Sequence, residues 1–338
     1  MDKPERRLIG AAIAIMLLAM CLAGSFLAAF HEPKPHGVNV GVVAPPPAVQ
    51  QLRTGLEQHA PGAFDLASYP DAASAQAAIM NRDVEGAFVA SGPQGPQLLI
   101  ASGAGLFPTQ LIEKTFTALA AASGQQVHVT DVSPLPAADT VGLKNFFVVM
   151  ATLIPSMALG AISSLLLVGL DGRRRLGGLL VGAILLGLGV TWVADGMTGT
   201  WPGGYWALAG IVALFSFAVS TTTAALARLS PAGVVLALLG FLVLGVPPTG
   251  GPARFFVPSF FRVFDPWLPT PAAVTALRNV SYFDGNHIGA DLWSLAIWAV
   301  VGLVGVLLTG RLAPHRHGAH ATPYDEPATA GRMATKEA

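Results

Sequence analysis

Six long apolar stretches alternate with more polar segments along the chain. In chain order they are Leu8–Phe30, Leu143–Leu170, Leu176–Ala194, Tyr205–Ala227, Ala232–Val246 and Leu292–Leu312. A helix needs about 20 predominantly apolar residues to cross the hydrocarbon core of a bilayer. The fifth stretch is the exception to that length, with only 15 residues. The pattern predicts an α-helical polytopic membrane protein with six transmembrane helices, arranged one plus five.

The segment between the first and second stretches, residues 31–142, has a pattern of its own. Short apolar runs such as Val38–Ala44 and Gly86–Ala90 have the length of strands, and Leu106–Ser123 has the period of a helix. The turn residues of Gly92–Gly95 indicate a hairpin. The resulting element order, βαβαββαβ, predicts an extracytoplasmic α/β domain with a mostly parallel sheet.

The other domain boundaries follow from the same pattern. Residues 1–7 form a polar N-terminus, 8–30 the first transmembrane helix and 143–312 a membrane domain of five helices. Residues 313–338 lack any apolar period and are predicted to be a disordered tail. The tail contains three closely spaced histidines, but a solvated segment is a better interpretation of them than a metal site.

Residues 249–290 are too apolar for an ordinary solvated loop between two transmembrane helices. Pro258, Phe261, Pro269 and Arg278 mark a pattern of two short half-helices that prolines interrupt. Such a segment can dip back into the membrane, where protein must cover its backbone, or lie in the outer interface as an aromatic anchor. The sequence leaves both interpretations open.

Composition strengthens the membrane assignment and narrows the possible functions. Hydrophobic residues make up 53% of the chain and charged residues 11%, with a mean hydropathy of +0.59. The 19 basic and 19 acidic residues cancel, so no net positive field favours binding to nucleic acid. The single cysteine, Cys21, excludes an intrachain disulfide and any site built from several cysteines. The composition argues against a soluble enzyme and against a nucleic-acid-binding protein.

Basic residues indicate how the chain is oriented in the membrane. The short N-terminus, the Arg173–Arg175 cluster, Arg228 and Arg311 would all share one side, whereas Asp195–Gly204 has no basic residue. The positive-inside rule then places both termini in the cytoplasm of a multi-pass protein of the plasma (inner) membrane. The first stretch is too long for a typical signal peptide, so we expect a retained anchor rather than a cleaved leader.

Two of the apolar stretches carry polar side chains at helical spacing. In the second these are Thr152, Ser156 and Ser163, and in the fourth Ser216, Ser220 and Thr223. Hydroxyl groups on one helical face could line a substrate path. They also let helices approach closely, and this packing interpretation is favoured.

Catalytic, cofactor and metal-binding motifs are absent from the sequence, which predicts no enzyme, no cofactor and no metal site in this chain. An enzyme acting on lipid would need a polar cluster at one interface. The only candidates for that cluster are Asp265, Asp284, His287 and Asp291. Asp131 and Asp139, which flank a proline-rich connection, are expected to fix the orientation of the α/β domain rather than to act in acid–base chemistry.

The chain resembles the permease subunits of type-2 ABC transporters, nearest the phage-infection-protein-like (YhgE/Pip) permeases. The resemblance covers the order of one helix, an outward α/β domain and five helices. Its local marks are the Gly86–Ala90 strand, the Asp131–Pro136 connection that leads through Asp139 and Gly142, and the pattern that runs from Pro258 to Gly285. These patterns are loose, and the architecture carries most of the resemblance.

The resemblance implies a homodimeric or heterodimeric membrane unit that exports an amphipathic or envelope-related substrate. A separate cytoplasmic ATPase subunit would supply the energy of ATP, and membrane lipid would surround the helices. Arg173, Arg174 and Arg175 are the expected ATPase contact, although simple positive-inside charge accounts for them equally well. The alternative function is a non-transporting envelope accessory or receptor-like protein whose outward domain binds a partner.

Overall fold

The computed structural model describes residues 3–31, 34–92, 95–166, 169–199, 201–230, 232–249 and 255–311. The predicted disordered tail, 313–338, therefore lies outside the described residues. The chain is mostly helical and contains two units, an α/β unit formed within residues 34–142 and a helical unit formed by helix α1 (Lys3–Phe30) and the described residues of 144–311.

The α/β unit has five strands and three helices in the predicted order. They are β1 (Val38–Val43), α2 (Pro46–His59), β2 (Phe64–Ser68), α3 (Ala72–Met80), β3 (Gly86–Gly92), β4 (Gly95–Ile100), α4 (Leu106–Ala122) and β5 (His128–Asp131). The sheet order is β2-β1-β3-β4-β5. Only the β3–β4 pair is antiparallel, and the other pairs are parallel.

Apolar side chains cover both faces of this sheet. On one face, Val38 and Val40 of β1 pack with Leu56 of α2 and Phe116 of α4. On the other face, Ile79 of α3 packs with residues of β3 and β4. A parallel sheet must be covered on both faces, and this three-layer arrangement meets that requirement.

The helical unit contains six longer helices. They are α1 (Lys3–Phe30), α5 (Lys144–Leu166), α6 (Gly172–Thr198), α7 (Tyr205–Leu229), α10 (Pro269–Tyr282) and α11 (Gly289–Arg311). Among the described residues, five helices are long and apolar enough to cross a membrane, namely α1, α5, α6, α7 and α11. The chain is therefore a polytopic helical protein suited to a membrane.

The fifth apolar stretch is not a full-length spanning helix. Gly233–Thr249 is a shorter apolar segment that consists of α8 (Gly233–Leu238), a π-helical stretch at Leu239–Leu244 and a 3₁₀ turn at Pro247–Thr249. Pro247 and Pro248 lack the amide donor, so the helical hydrogen bonding does not continue beyond Val246. The described residues thus contain five helices of spanning length and one shorter apolar segment where six transmembrane helices were predicted.

Helix α7 is the centre of the helical unit. Of the most apolar 18-residue stretch of α7, 72% is buried inside the protein. The corresponding share for α1, which lies at the edge of the unit, is 11%. Glycines on the neighbours of α7 allow this packing: a Cβ at Gly187 of α6 would lie 2.6 Å from the Ala209 carbonyl oxygen, and one at Gly302 of α11 would lie 2.7 Å from the Thr222 amide nitrogen. Small residues at such crossings let helix backbones approach closely.

Helix α10 joins the two units. Ala273, Ala276 and Leu277 belong to the core of the helical unit, together with residues of α5 and α7. Tyr282 and Phe283, at the end of the same helix, belong to the apolar cluster beneath α3 of the α/β unit. The two units therefore share buried surface across α10.

Candidate functional site

A cavity of about 200 Å³ lies where the α/β unit meets the helical unit. Its wall from the α/β unit includes Arg82 and Glu85, and its wall from the helical unit includes residues of α10 and of the segments on either side. The charged and polar lining residues other than Thr275 are Arg82, Glu85, Asp265, Arg278, Asn279, His287 and Asp291. Charged groups are thus gathered between two apolar cores.

Arg82 and Glu85 form a fixed ion pair in this wall, in the turn between α3 and β3. The two guanidinium NH groups of Arg82 donate to the two Glu85 carboxylate oxygens at 3.0 and 3.3 Å. The Arg82 guanidinium also lies 4.5 Å from the centre of the Phe283 ring. Glu85 is only 3% exposed, so its charge is neutralised by this partner rather than by water. The pair is a bidentate, mutually satisfied contact.

Arg278 has no such partner on the opposite wall. Its Nε atom is buried and makes no hydrogen bond with the described residues. Burial, followed by the like charge of Arg82, lowers the pKa of the Arg278 guanidinium to about 10, while the charge of Glu85 opposes this shift. The side chain is therefore cationic at neutral pH. A partly buried cation without a hydrogen-bonded counter-charge is costly unless something in the cavity compensates it.

Asn279, the next residue of α10, also has buried polar atoms at this cavity, but it carries no charge. It is 1% exposed and lines the cavity. Neither its Nδ2 nor its Oδ1 atom has a hydrogen-bond partner among the described residues. Buried side-chain amides are almost always hydrogen-bonded in folded proteins. Two adjacent residues of α10 thus present unused hydrogen-bonding groups at this cavity.

Tyr282 attaches α10 to the α/β unit beside the cavity. Its hydroxyl donates to Asp139 Oδ2 at 3.1 Å, and its carbonyl oxygen accepts from Ser133 Oγ at 2.6 Å. Burial, followed by the Asp139 charge, raises the pKa of the Tyr282 phenol, so it remains a protonated donor. The Asp139 carboxylate also accepts from the Leu143 and Lys144 amides at the start of α5. This geometry agrees with the expected orienting role of Asp139.

Asp131 also serves the α/β connection. It accepts hydrogen bonds from the Ser102 hydroxyl at 2.5 Å and from the Ser133 amide at 3.1 Å. Ser133 in turn contacts Tyr282, so the carboxylate supports the junction from within the sheet. Its contacts are those of a structural acceptor.

The polar faces of the second and fourth apolar stretches lie in the interface between α5 and α7. All six side chains are buried, namely Thr152, Ser156, Ser163, Ser216, Ser220 and Thr223. Ser156 and Ser216 are hydrogen-bonded to each other at 2.8 Å. Thr152 and Ser163 bond to carbonyl oxygens of their own helix. This arrangement favours the packing interpretation over a substrate path.

The arginines of the expected ATPase contact differ in exposure. Arg173 and Arg174 are exposed, and Asp171 accepts a hydrogen bond from the Arg174 amide as the N-cap of α6. Arg175 is 1% exposed and lies inside the helical unit. A contact surface at this end can therefore include Arg173 and Arg174 but not the Arg175 side chain.

The four residues that marked the segment 249–290 have four different surroundings. Pro258 precedes the short helix α9 (Ser259–Phe264), and Phe261 of that helix packs against Ala29 at the end of α1. Pro269 begins α10, where proline is favoured at the first helical position. Arg278 faces the cavity. The segment is therefore two helices with different partners, and residues 250–254 lie outside the described residues.

The fold brings together three of the four residues considered as candidates for an enzyme acting on lipid. Asp265, His287 and Asp291 line the cavity, whereas Asp284 is not among its lining residues. Within the described ranges, no group of three or more His, Cys, Asp or Glu side chains could hold a metal ion.

Sequence reasoning did not find Arg82, Glu85 or Asn279. The first two lie in another unit, almost two hundred positions from Arg278 in the chain, so only the folded structure brings them together.

Comparison of the chain with protein-family models, curated proteins and solved structures gives no match. The resemblance to type-2 ABC permeases accordingly remains an expectation.

Proposed function

We propose that this chain is the membrane-spanning permease subunit of an ABC-type exporter, which moves an amphipathic or envelope-related substrate with energy from a separate ATPase. The observation that carries the proposal is the cavity at the junction of the two units. It combines charged walls with the apolar surface of the neighbouring helices, and an amphipathic molecule needs both.

The distribution of charge supports an external source of energy. In α5, α6, α7 and α11, every Asp, Glu, Lys or Arg lies within four residues of a helix end. Transporters driven by protons or ions use ionisable groups deep within their spanning helices. These four helices have none at that depth, so a partner ATPase is the more suitable source of energy.

The exposed apolar surface supports an assembly in the membrane. Helix α1 exposes Ile13, Met16, Met20 and Leu27, each by about half or more of its surface. Lipid, a second copy of the chain or a related subunit would cover these side chains. We therefore propose a homodimer or heterodimer in the plasma membrane, with the α/β unit outside and both termini in the cytoplasm.

Purification of the full chain from its native membrane tests the proposal. We expect a P-loop ATPase to co-purify, and we expect the double variant Arg173→Ala/Arg174→Ala to reduce its recovery by at least about tenfold. Both side chains are exposed, so the substitutions remove charge without opening the core. Arg53→Ala is the matched control, because Arg53 is an exposed arginine of the α/β unit. Its ATPase recovery should not change.

One result would contradict the exporter, and another would contradict the arginine contact. The first is the absence of any ATPase from preparations made in mild detergent. The other is full recovery of the ATPase with the double arginine variant, with unchanged ATP hydrolysis. That result would mean that Arg173 and Arg174 do not contact the ATPase. The first result would favour the envelope accessory whose outward unit binds a partner.

A further inference from the structure

The α10 wall of the cavity offers hydrogen-bond donors that no described residue uses. The Arg278 Nε and the Asn279 Nδ2 are both buried and both unpaired. A water molecule can accept a hydrogen bond from either group, but it does not neutralise the guanidinium charge. An oxyanion meets both requirements, and arginine is the residue that binds carboxylate and phosphate oxygens most effectively.

The other charged residues of the cavity lining already have interaction partners. Arg82, the other arginine of the cavity, is already neutralised by Glu85 in a bidentate pair. Asp265 and Asp291 also line the cavity, and both have interaction partners of their own in the structure. Arg278 is thus the lining cation for which no described residue supplies a hydrogen-bonded counter-charge.

The size and surroundings of the cavity favour a head group rather than a whole ligand. Its volume of about 200 Å³ is smaller than the ~300–1,000 Å³ of sites that enclose drug-sized molecules. Pro266 lines the cavity, and the next residue, Trp267, is 70% exposed. Phe260 and Val263 of α9 are 58% and 64% exposed. Exposed apolar side chains thus lie in α9 and directly after Pro266, next in sequence to this edge of the cavity.

The backbone around the cavity is also unusual. The three non-glycine residues with positive φ in the described chain are Arg82, Asp284 and His287. Two of them line the cavity, and the third lies in the turn after α10. Such conformations are uncommon for non-glycine residues and are concentrated at functional sites.

We propose that this cavity binds the phosphate head group of an anionic lipid through Arg278 and Asn279, with the acyl chains along the exposed face of α9. The phosphate oxygens accept from the guanidinium and from the Asn279 amide. The negative charge compensates Arg278, which forms no ion pair with the described residues. Binding at this site does not require the transport reaction, so it can be tested on the purified chain alone.

The experiment measures binding to the full chain in an uncharged detergent by calorimetry. The probes are a short-chain phosphatidic acid, the matching diacylglycerol without phosphate, and inorganic phosphate. We expect the phosphatidic acid to bind with a stoichiometry of one per chain and the diacylglycerol not to bind measurably. Binding of inorganic phosphate with similar affinity would identify the free anion as the source of the same chemistry, and much weaker binding would identify the lipid.

Three variants test whether Arg278 and Asn279 bind the phosphate, and a fourth is the control. Arg278→Gln should weaken phosphatidic acid binding by at least about tenfold, because it removes a hydrogen bond between two charged groups. Asn279→Leu should weaken it by a smaller factor. Arg278→Lys keeps the charge without the planar donor pair and should give an intermediate affinity. Arg53→Gln removes an exposed arginine elsewhere and should change nothing.

Unchanged binding in Arg278→Gln would overturn the proposal, as would equal binding of the neutral diacylglycerol. The melting temperature of each variant shows whether it folds. If Arg278→Gln does not fold, Arg278→Lys and Asn279→Leu decide: wild-type affinity in both overturns the proposal, and weaker binding in either supports it.

Discussion

At the scale of single residues, the junction depends on side chains that serve two units at once. Tyr282 donates its hydroxyl to Asp139, accepts from Ser133 at its carbonyl oxygen and packs in the apolar cluster beneath α3. Gly103 lies against it so closely that a Cβ there would be 2.7 Å from the Tyr282 Cβ atom. The α/β unit is therefore held on α10 by specific contacts as well as by apolar burial.

Tyr282→Phe removes one of these contacts and nothing else. We expect the free energy of unfolding to fall by about 1–2 kcal/mol, because the partly buried Asp139 carboxylate loses a donor while its bonds to the Leu143 and Lys144 amides remain. The junction should also open more often. Limited proteolysis of the connection between Asp131 and Leu143 should accordingly become faster, with fragments resolved by mass spectrometry.

Tyr205→Phe is the matched control for this change. The Tyr205 hydroxyl donates to the Leu188 carbonyl oxygen at 2.8 Å within the helical unit. Its loss should lower the melting temperature by a comparable amount without faster cleavage of the connection. Equal cleavage in both variants would mean that Tyr282 stabilises the protein generally and does not hold the junction.

At the scale of elements, local patterns in the sequence determined most of what could be predicted. The strands and helices of the α/β unit follow from apolar runs and turn residues that are close in sequence, such as the turn between β3 and β4. The length of the fifth apolar stretch, 15 residues, already indicated that it is short. Its π-helical part could not be predicted, because the π-helical conformation depends on packing against α1 and α10. The cavity could not be predicted, since Arg82 and Arg278 meet only through the tertiary fold.

The packing of α5 against α7 gives a prediction at this scale. A Cβ at Gly160 would overlap the Ser220 carbonyl oxygen and lie 2.9 Å from the Thr223 Cβ atom of α7. Gly160→Ala should therefore separate the helices and cost about 1–3 kcal/mol, as overpacking of a close contact does. The measurement is the melting temperature of the full chain in detergent.

Gly178→Ala on α6 is the control, because a Cβ at that position meets no atom within 4 Å. This change should be neutral or slightly stabilising, since alanine favours a helix more than glycine does. Equal destabilisation by both substitutions would show that the α5–α7 contact is not the reason for the glycine at 160.

At the scale of the whole molecule, the helices of the helical unit have two distinct ends. At the end that faces the α/β unit, the first residue of α5, Lys144, lies 4.7 Å from the ring of Trp201 in the connection between α6 and α7. At the other end, Leu176 of α6, Ala225 of α7 and Val306 of α11 share one apolar cluster. The last turns of α7 and α11 are thus both remote from the α/β unit.

The short segment Gly233–Thr249 must connect these two ends. It begins where Gly233 packs against the Leu226 backbone of α7, and it ends near Pro248, which lines the cavity beside Arg82 and Glu85. Its 17 residues would span about 25 Å as a helix, slightly less than the ~30 Å of hydrocarbon in a typical bilayer. Thinning of the bilayer or the polar ends of neighbouring helices can make up that difference.

Cysteine labelling tests whether this segment crosses the membrane. In a Cys21→Ala background, we expect Ser123→Cys of the α/β unit and Ser259→Cys of α9 to react with a membrane-impermeant maleimide in intact cells. Ala232→Cys, between α7 and α8, should react only after the membrane is permeabilised. All three positions are exposed in the structure, so burial within the protein does not limit their reactivity. If Ala232→Cys and Ser259→Cys react under the same conditions, the segment does not cross. If all three reactivities are reversed, the segment crosses but the α/β unit faces the cytoplasm, and both the head-group site and the ATPase contact would lie on sides opposite to those proposed.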